Sequence, residues 1–485
     1  MSWQVRTVAD RYADSVRLMG IARALRGRDG VASCEVAMGT PANLAALADL
    51  GAQADATPGD IVIAVDGDDG AAGEALAEAE RMLAAGGAGG NGSAPAVAPP
   101  RSLGSAVDGL GGANVALVSV PGEYAALEAH RALSRGLHVF LFSDHVSVAD
   151  EVALKRRAGA RGLLVMGPGC GTAMLGGVGL GFANVVPSGP VGIVAAAGTG
   201  AQEAACLVAA AGGGVSQIVG VGGRDLSADV GGLAFRQGLA LLGEDDATET
   251  VLLVSKPPAP EVVAALADAL PPGKRAVAAF VGLRDADAPY EIHDSLEAAA
   301  FAAAGATAPD ITAPEQAVDA RRDGSAGRAV LGLFSGGSLA HEALTILEDA
   351  LGPVAGNVSG TDAAPDGHRI LDLGEEEYTR GRPHPMVDLD LRVGMIEEAA
   401  GDDALGCLLL DVVLGHGSHP DPAGELAGAL GRVAERATVV VRVCGTAEDP
   451  QDARRQTTAL EDVGAIVAPS NAAAARLAVR AVRAG

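Results

Sequence analysis

Residues 191–210 read VGIVAAAGTGAQEAACLVAA, an apolar run followed by a Gly-Thr-Gly turn and an alanine-rich helical stretch. Residues 330–350, VLGLFSGGSLAHEALTILEDA, repeat this order. Because the apolar runs are continuous rather than alternating, they indicate strands buried on both faces, as in parallel sheets covered by helices. Similar runs occur at DIVIAV (60–65), NVALVSV (114–120), LHVFLFS (137–143), GLLVM (162–166), SQIVGVG (216–222), TVLLVS (250–255), RAVAAFVG (275–282), LGCLLLDVVLG (405–415), TVVVRVCG (438–445) and AIVAP (465–469).

The alternation of these runs with helical stretches predicts an α/β fold built from βαβ units. A chain of 485 residues exceeds one hydrophobic core, and about 150 residues per domain gives roughly three domains. We place the domains at 1–186, 187–305 and 326–485. The low-complexity stretch GGAGGNGSAPAVAPP (86–100) is predicted to be a disordered insertion in the first domain, and 305–327 a hinge between the last two.

The composition argues against several classes of protein. A net charge of −26 disfavours nucleic acid or an anionic membrane as the main partner, because phosphate affinity needs clustered lysine and arginine. Five cysteines without a C-x-x-C pair predict free thiols in a reducing cytosol, and no metal site. No charged residue occurs between Arg161 and Glu203, yet the prolines and glycines of this run would break a membrane helix. The N-terminus lacks a signal-peptide pattern, so we expect a soluble, cytoplasmic protein.

The repeated turns are candidate anion sites. In each, a glycine lets the backbone turn and a hydroxyl residue is placed to cap the next helix, whose N-terminal N–H groups and dipole attract anions. Each turn alone is better explained as an ordinary strand-to-helix turn, but two copies in separate blocks favour one anion shared between facing helix ends. The residues assigned to phosphate or substrate are Gly198, Thr199 and Gly200 in the first copy and Gly337 and Ser338 in the second, with Glu203 and Glu342 at matching positions.

Other polar residues follow predicted strands, at the edge where doubly wound sheets bind ligands. Arg224 suits a carboxylate or phosphate with Asp225 beside it, and the alternative is an Arg224–Asp225 pair or a helix cap. Lys256 is placed to contact a phosphate, unless it is a surface residue before a proline turn.

GRPHPMVD (381–388) is the most unusual stretch, because two prolines fix the backbone around His384. We assign catalytic roles to Arg382 and His384, together with Arg224. The other histidines beside predicted elements are interpreted as loop or structural residues: His293, His416 and His419.

Common fingerprints are missing from the sequence. There is no G-x-x-x-x-G-K-[ST], no G-x-S-x-G and no G-x-G-x-x-G after the first strand. Ordinary nucleotide hydrolases, serine hydrolases and dehydrogenases are therefore disfavoured.

A further series of motifs has a specific order: MGTPANL (38–44), VPGEYAALEA (120–129), MGPGCGTAM (166–174), GFANVVPSG (181–189), VGGRDLSADVGG (221–232), VSKPP (254–258) and GRPHPMVD (381–388). From about Tyr12 to the C-terminus the chain resembles the FdrA family of acyl-CoA-synthetase-like proteins, related to the α subunit of succinyl-CoA synthetase. The resemblance implies a CoA-binding-like Rossmann domain followed by two flavodoxin-like parallel-sheet domains.

The resemblance also implies a chemistry. Succinyl-CoA synthetase relays phosphate through a histidine in a G-H-A-G motif, but the corresponding region here reads RDADAPYEIHDSLEAAA (284–300), and His293 lacks the glycines. FdrA-type proteins are associated instead with oxamate carbamoyltransferase in allantoin and purine catabolism, where Arg224 or Arg382 would bind the oxamate carboxylate. The alternatives are an NDP-forming acyl-CoA ligase and a non-catalytic subunit that binds CoA or a metabolite.

The implied ligands are phosphate or CoA, with nucleotide use left open, and a small carboxylate or carbamoyl substrate. The implied protein partners are other subunits of a hetero-oligomeric enzyme. His145 and Gly169 stand where the family usually shows Asn and Asp. MGPGCGTAMLGGVGL (166–180) is interpreted as an exit loop of the first domain, with Cys170 unreactive because no basic residue is near it in sequence.

Overall fold

The chain divides into two units, which are described one at a time. One comprises Met1–Pro99 and Thr379–Pro383, and the other Pro100–Tyr378 and His384–Gly485. The computed structural model describes residues 2–13, 15–26, 28–85, 100, 102–283, 288–321, 327–379 and 382–483. Apart from Pro100, the predicted disordered insertion lies outside these residues.

The first unit is a three-stranded antiparallel sheet of order β1-β3-β2. Its elements are β1 Ser2–Val8, α1 Ser15–Arg26, β2 Val31–Met38, α2 Pro41–Asp49, β3 Ile61–Gly67 and α3 Asp69–Ala85. The central strand β3 is buried along IVIAV because its alternate side chains pack against different layers. Ile61 and Ile63 pack with α1 and α3, whereas Val62 and Ala64 pack with α2.

This unit corrects the prediction of one Rossmann domain over 1–186. The apolar run at 60–65 lies in an antiparallel sheet that is covered on both faces, so its continuity does not reflect parallel pairing. Parallel strands begin later, in a sheet of order β4-β5-β6 at the start of the second unit. The elements of this sheet are α4 Leu103–Leu110, β4 Val115–Val118, α5 Gly122–Ser134, β5 His138–Leu141, α6 Val148–Gly159 and β6 Val165–Met166.

A seven-stranded sheet follows in the second unit, with the order β13-β12-β11-β9-β10-β7-β8. Its elements are β7 Thr172–Leu175, β8 Val178–Gly181, β9 Val191–Ala195, α7 Gly198–Ala210, β10 Val215–Gly220, α8 Leu233–Glu244, β11 Thr250–Ser255, α9 Pro260–Ala267, β12 Arg275–Phe280, β13 Glu291–His293, α10 Leu296–Ala303 and α11 Thr312–Arg321. Strands β9 to β13 are parallel, and the antiparallel hairpin β7–β8 extends the sheet beside β10.

The remaining residues form a five-stranded parallel sheet of order β15-β14-β16-β17-β18. Its elements are β14 Ala329–Phe334, α12 Gly337–Leu351, β15 Arg369–Asp372, α13 Glu376–Thr379, α14 Asp390–Ala399, β16 Leu405–Val413, α15 Pro422–Ala434, β17 Thr438–Cys444, α16 Ala453–Asp462, β18 Ile466–Ala468 and α17 Asn471–Val482.

The five parallel strands β9 to β13 of the seven-stranded sheet and the five strands β14 to β18 share the flavodoxin-like strand order 2-1-3-4-5. In each, the first strand lies between the second and the third, so the connections leave it in opposite directions and open a crevice at its carboxyl end. Helices α7 and α12 follow these first strands and begin at the two crevices. The predicted fold class, α/β with a Rossmann-like domain and two flavodoxin-like domains, is confirmed.

Two predicted connections contain regular structure. The stretch 166–180, interpreted as an exit loop, holds β7 and most of β8. The predicted hinge at 305–327 holds α11, in which Val318 is buried and Asp319 pairs with Arg480 at 2.7 Å. No helix in the described ranges combines the length and apolarity needed to cross a membrane.

The two repeated glutamates join the flavodoxin-like domains. Glu203 in α7 accepts hydrogen bonds from Arg442 Nε at 2.9 Å and from the N–H of Asn471 at 3.0 Å. Glu342 in α12 accepts from the N–H of Leu296 at 2.7 Å and from Asn471 Nδ2 at 2.8 Å. Asn471 and Leu296 begin α17 and α10, so each glutamate crosses to a helix N-terminus of the opposite domain, where a carboxylate is favoured.

Candidate active site

The N-termini of α7 and α12 lie against each other. A Cβ atom added to Gly200 would stand 3.3 Å from Ser338 Cβ, and one added to Gly336 would stand 2.6 Å from Thr199 Cβ. Neither helix has a side-chain cap, since the N-cap residues are Ala197 and Gly336. The predicted capping by Thr199 and Ser338 is wrong, because each is the second residue of its helix. Both first turns therefore present N–H groups that no capping side chain occupies.

Asp372 and Lys256 stand at the start of α12. Asp372 is the last residue of β15, and Lys256 directly follows β11. A Cβ atom added to Gly337 would overlap Asp372 Oδ2 and lie 3.4 Å from Lys256 Nζ. The missing side chain at Gly337 therefore lets a carboxyl group and an ammonium group reach the first turn together. The side chain of Lys256 is exposed and can meet an anion there.

Asp372 can gain or lose a proton near neutral pH. Burial raises the pKa of its carboxyl group to about 7. The N–H of Gly374, 2.9 Å from Oδ1, and the Lys256 ammonium favour the carboxylate and limit this rise of the pKa, whereas Glu375 and Asp411 add to it. A group of this kind is suited to acid–base chemistry.

His384 is arranged as a neutral hydrogen-bond donor. The N–H of Met386 donates to Nδ1 at 3.3 Å, which places the ring proton on Nε2. Nε2 and Asp372 Oδ1 lie 3.0 and 3.1 Å from the position that a Cβ atom on Gly374 would take. Burial lowers the pKa of His384 to about 4, although the negative charge of Asp411 opposes the shift. His384 therefore offers an N–H at neutral pH and does not become charged.

A buried ion pair fixes the loop that leads into α12. The N–H and the hydroxyl of Ser335 both donate to Asp411 Oδ1 at 2.9 Å. Arg392 Nη2 donates to the same oxygen at 2.7 Å and to the carbonyl of Leu333 at 2.5 Å. Asp411 Oδ2 is buried and has no hydrogen-bond partner among the described residues. The pair holds Ser335 two residues before α12 and thereby positions the first turn of the helix.

The predicted substrate residues Arg224 and Asp225 belong to a separate ion cluster. Asp225 is fully buried and accepts from Lys155 Nζ at 2.7 Å and from two N–H groups in the first turn of α8. Arg224 pairs with Glu151 at 2.9 Å. For Asp225 the structure shows the helix-cap alternative, because both carboxylate oxygens are occupied by the protein itself.

The remaining predicted residues are placed as follows. Arg382 lies in the first unit, is exposed, and donates its backbone N–H to the carbonyl of Thr379, so its catalytic role stays a prediction. His293 Nε2 contacts Glu291 at 2.8 Å. The backbone of His416 pairs with that of Ala183.

Three residues of the site were missed from the sequence: Asp372, Arg392 and Asp411. Their signal is a charge in or at the end of an apolar strand, since Asp411 interrupts LGCLLLDVVLG (405–415) and Asp372 ends RILD (369–372). A carboxylate inside a strand core needs a buried partner, and Arg392 supplies it for Asp411.

Two family models match parts of the chain. Residues 333–481 match the CoA-ligase family, and residues 1–98 match the AllF heavy metal-associated domain. In the described part of the chain no group of three or more His, Cys, Asp or Glu side chains is arranged to hold a metal ion. Burial raises the pKa of Cys34, in β2 of the first unit, to about 12. The described residues of the first unit therefore do not fit a metal site.

Comparison with known proteins extends the match over the whole chain. The uncharacterized protein YahF of Escherichia coli (strain K12) is 36% identical over 512 residues, which covers 97% of this chain and 97% of YahF. The chain belongs to the YahF-like family. A second relative is the α subunit of ADP-forming succinate–CoA ligase from Methanothermobacter thermautotrophicus. It is 29% identical to this YahF-like chain over 146 residues, which cover 30% of the chain and 48% of that subunit. Together with the CoA-ligase match, this indicates an enzyme of the acyl-CoA ligase kind.

Solved structures also align with most of the YahF-like chain. Dinucleotide-forming acetyl-coenzyme A synthetase 1 from Ca. Korarchaeum cryptofilum, in its apo form, aligns with 76% of this chain and 82% of its own length. The sequence identity is 15% and the TM-score is 0.28.

Proposed function

We propose that the chain is an FdrA-type enzyme subunit that transfers an acyl or carbamoyl group in a reaction involving phosphate. The specific reaction that we propose is carbamoyl transfer between phosphate and oxamate. The observation that carries the proposal is the contact between two uncapped helix N-termini, with Thr199 against Gly336 and Gly200 against Ser338. Two sets of N–H groups and two helix dipoles favour one multiply charged anion between them. The match of residues 1–98 to the AllF domain agrees with a role in allantoin or purine catabolism, which the FdrA resemblance implies.

Each group near the helix ends has a role in such a reaction. The first turns, the hydroxyls of Thr199 and Ser338, and the Lys256 ammonium hold the phosphate oxygens. The Nε2–H of His384 donates to the carbamoyl oxygen, where negative charge develops as the phosphate oxygen attacks. Asp411 and Arg392 act through Ser335 and keep the first turn of α12 in place.

Coenzyme A is not assigned to the carboxyl edge of the sheet β4-β5-β6. Its phosphates require cations, but the cations near this edge already pair with carboxylates. His145 contacts Asp144 at 2.7 Å and Glu376 at 2.9 Å, and Arg224 pairs with Glu151 at 2.9 Å. These side chains are engaged in the protein's own ion pairs, and phosphate is the ligand that we assign to the facing helix ends.

The proposal is tested by oxamate-dependent release of inorganic phosphate from carbamoyl phosphate. The purified chain is assayed alone and with co-purified subunits, since the FdrA resemblance implies a hetero-oligomeric enzyme. Lys256→Ala and His384→Gln are expected to lower turnover by about 100-fold, the typical loss of one stabilising group. Lys274→Ala removes the same charge before β12, at the opposite edge of the sheet, and is expected to leave turnover unchanged. Arg382→Ala tests the carboxylate-binding role. Absence of phosphate release with every subunit combination contradicts the proposal.

The CoA-ligase match over residues 333–481 favours a second candidate, an NDP-forming acyl-CoA ligase. His341 lies in α12, where burial and the Lys256 charge lower its pKa, so a neutral imidazole is available to accept a phosphoryl group. Acid-labile labelling of the chain by ATP, lost in His341→Gln, would support this ligase. If the chain shows neither turnover nor labelling, the function that remains is that of a non-catalytic subunit that binds CoA or a metabolite.

A further inference from the structure

Asp372 lies next to both Gly374 and the first turn of α12. Its Oδ1 accepts the N–H of Gly374 at 2.9 Å, and a Cβ atom added to Gly374 would lie 3.1 Å from this oxygen and 3.0 Å from His384 Nε2. Its Oδ2 lies against Gly337 in the first turn of α12. The backbone is fixed as well, because Asn357 Nδ2 donates to the Asp372 carbonyl at 2.8 Å and Asn357 Oδ1 accepts the Asp372 N–H at 2.9 Å. The carboxyl group therefore has a defined position next to the space assigned to phosphate.

Opposing influences keep both protonation states of Asp372 accessible. Burial and the charges of Glu375 and Asp411 favour the protonated acid, and they raise the pKa to about 7. Lys256, the Gly374 N–H and the N-terminus of α12 favour the carboxylate. Arg392 is bound to Asp411 and reduces the effect of that charge, and His384 is neutral and adds no charge.

Carbamoyl transfer to phosphate requires a proton donor. When a phosphate oxygen attacks the carbamoyl carbon of a carbamoylated amide, the carbon–nitrogen bond breaks and its electron pair passes to nitrogen. An amide nitrogen is a poor leaving group unless it is protonated as the bond breaks. The neutral His384 is committed to the carbamoyl oxygen in the proposed function and retains its proton.

We propose that Asp372 is the proton carrier of this step, an inference that rests on the proposed carbamoyl transfer. The carboxyl proton of Asp372 passes to the departing nitrogen, which leaves as the neutral amide of oxamate. The hydroxyl proton of the attacking phosphate then returns to the Asp372 carboxylate, so the site ends with the same number of protons. In the reverse direction the carboxylate removes a proton from the amide as it attacks carbamoyl phosphate. We therefore expect the site to use carbamoyl acceptors that react through an amide nitrogen.

The test compares two acceptors in Asp372→Asn, which keeps the shape of the side chain and removes its acid. Oxamate needs a base to attack carbamoyl phosphate, whereas hydroxylamine is a small neutral nucleophile that attacks before it loses a proton. We expect the variant to lose about 100-fold or more in kcat with oxamate, and to retain enzyme-dependent carbamoylation of hydroxylamine above the uncatalysed rate. The limb of the kcat–pH profile near neutrality is expected to disappear, and the Kd for inorganic phosphate is expected not to rise, because the substitution removes only negative charge beside the anion. Asp402→Asn, at an exposed turn before β16, is the matched control.

The possible results separate this inference from the proposed function. Equal losses with both acceptors would show that Asp372 supports the structure of the site rather than carrying a proton, and full activity with oxamate would overturn its role. An unchanged pH profile in the variant would also overturn it. If the unaltered protein fails with both acceptors, the proposed function itself is wrong.

Discussion

Gly336→Ala tests the contact between the two helix ends directly. Gly336 has φ −140° and ψ 120°, a conformation open to alanine, so the cost of the substitution lies in contacts and not in backbone strain. The new Cβ atom would stand 2.6 Å from Thr199 Cβ, with the Thr199 Cγ2 and Oγ1 atoms closer still. Rotation of the threonine side chain does not move its Cβ, so the helices must separate by about 1 Å to reach normal carbon–carbon distances.

This separation has two expected consequences. Overpacking of this kind costs about 1–3 kcal/mol in the free energy of unfolding. A displacement of about 1 Å between groups that hold one anion is expected to lower carbamoyl transfer by about 100-fold. Equilibrium unfolding in urea measures the first effect, and phosphate release from carbamoyl phosphate measures the second.

Two further variants test whether the effect of Gly336→Ala comes from its contact with Thr199. Gly394→Ala, in α14 with no heavy atom within 4 Å of the new Cβ, is expected to be as stable as the unaltered protein or up to about 1 kcal/mol more stable. Thr199→Gly removes the opposing Cβ and is expected to restore stability when combined with Gly336→Ala. If Gly336→Ala unfolds and turns over like the unaltered protein, or if Thr199→Gly gives no coupling in a double-mutant cycle, the facing arrangement is wrong.

Three other predictions concern buried groups. Burial raises the pKa of Glu342 from 4.5 to about 7, so its contribution to stability is complete below pH 4.5 and is lost as the pH rises through about 7. Urea unfolding should therefore show a fall of up to about 3 kcal/mol in the free energy of unfolding over this pH range. In Glu342→Gln this fall should be absent. Arg392→Met leaves the Asp411 carboxylate buried without its guanidinium and is expected to cost about 3–5 kcal/mol in the same unfolding assay. The double variant with Asp411→Leu is expected to recover only part of this loss, because the N–H and the hydroxyl of buried Ser335 then lose their acceptor. Burial raises the pKa of Cys170 to about 12, so iodoacetamide at pH 8 is expected to leave this thiol unmodified in the folded protein and to alkylate it in urea, as mass spectrometry of the peptide would show.

The strands that could be predicted are those buried on both faces. The runs at 191–197 and 405–415, for example, correspond to β9 and β16, which are buried along their whole length. The missed strands are short, edge or half-exposed ones, such as β8, whose four residues VGLG include two glycines and have no buried position. Such strands form because a neighbouring strand offers hydrogen bonds, and this neighbour is not visible in the local pattern.

The candidate site was predictable where it is local and not where it depends on topology. The two turns at Gly198 and Gly337 could be identified because a glycine, a hydroxyl residue and a helix adjoin in sequence. Asp372 approaches Gly337 because β15 pairs beside β14, and Lys256 approaches it across the boundary between two sheets. Neither approach follows from sequence spacing.

The two departures from the FdrA pattern have a backbone explanation. His145 and Gly169 have φ of 55° and 63°, in the left-handed region that glycine, asparagine and aspartate tolerate best. A Cβ atom added to Gly169 would meet no heavy atom within 4 Å. The Asn and Asp that the FdrA resemblance implies at these positions suit the same conformation, so Gly169 is compatible with the same loop shape without a negative charge.

The repeated glutamates explain why both helix ends can come from a single chain. Glu203 and Glu342 lie four residues after Thr199 and Ser338, about one turn deeper, and are buried. Because each accepts the first N–H of a helix in the opposite domain, displacing either domain would break hydrogen bonds to a buried carboxyl group, at a cost above that of losing an exposed ion pair. The same repeat thus supplies the anion-binding first turn and, one turn later, the contact that holds the two first turns face to face.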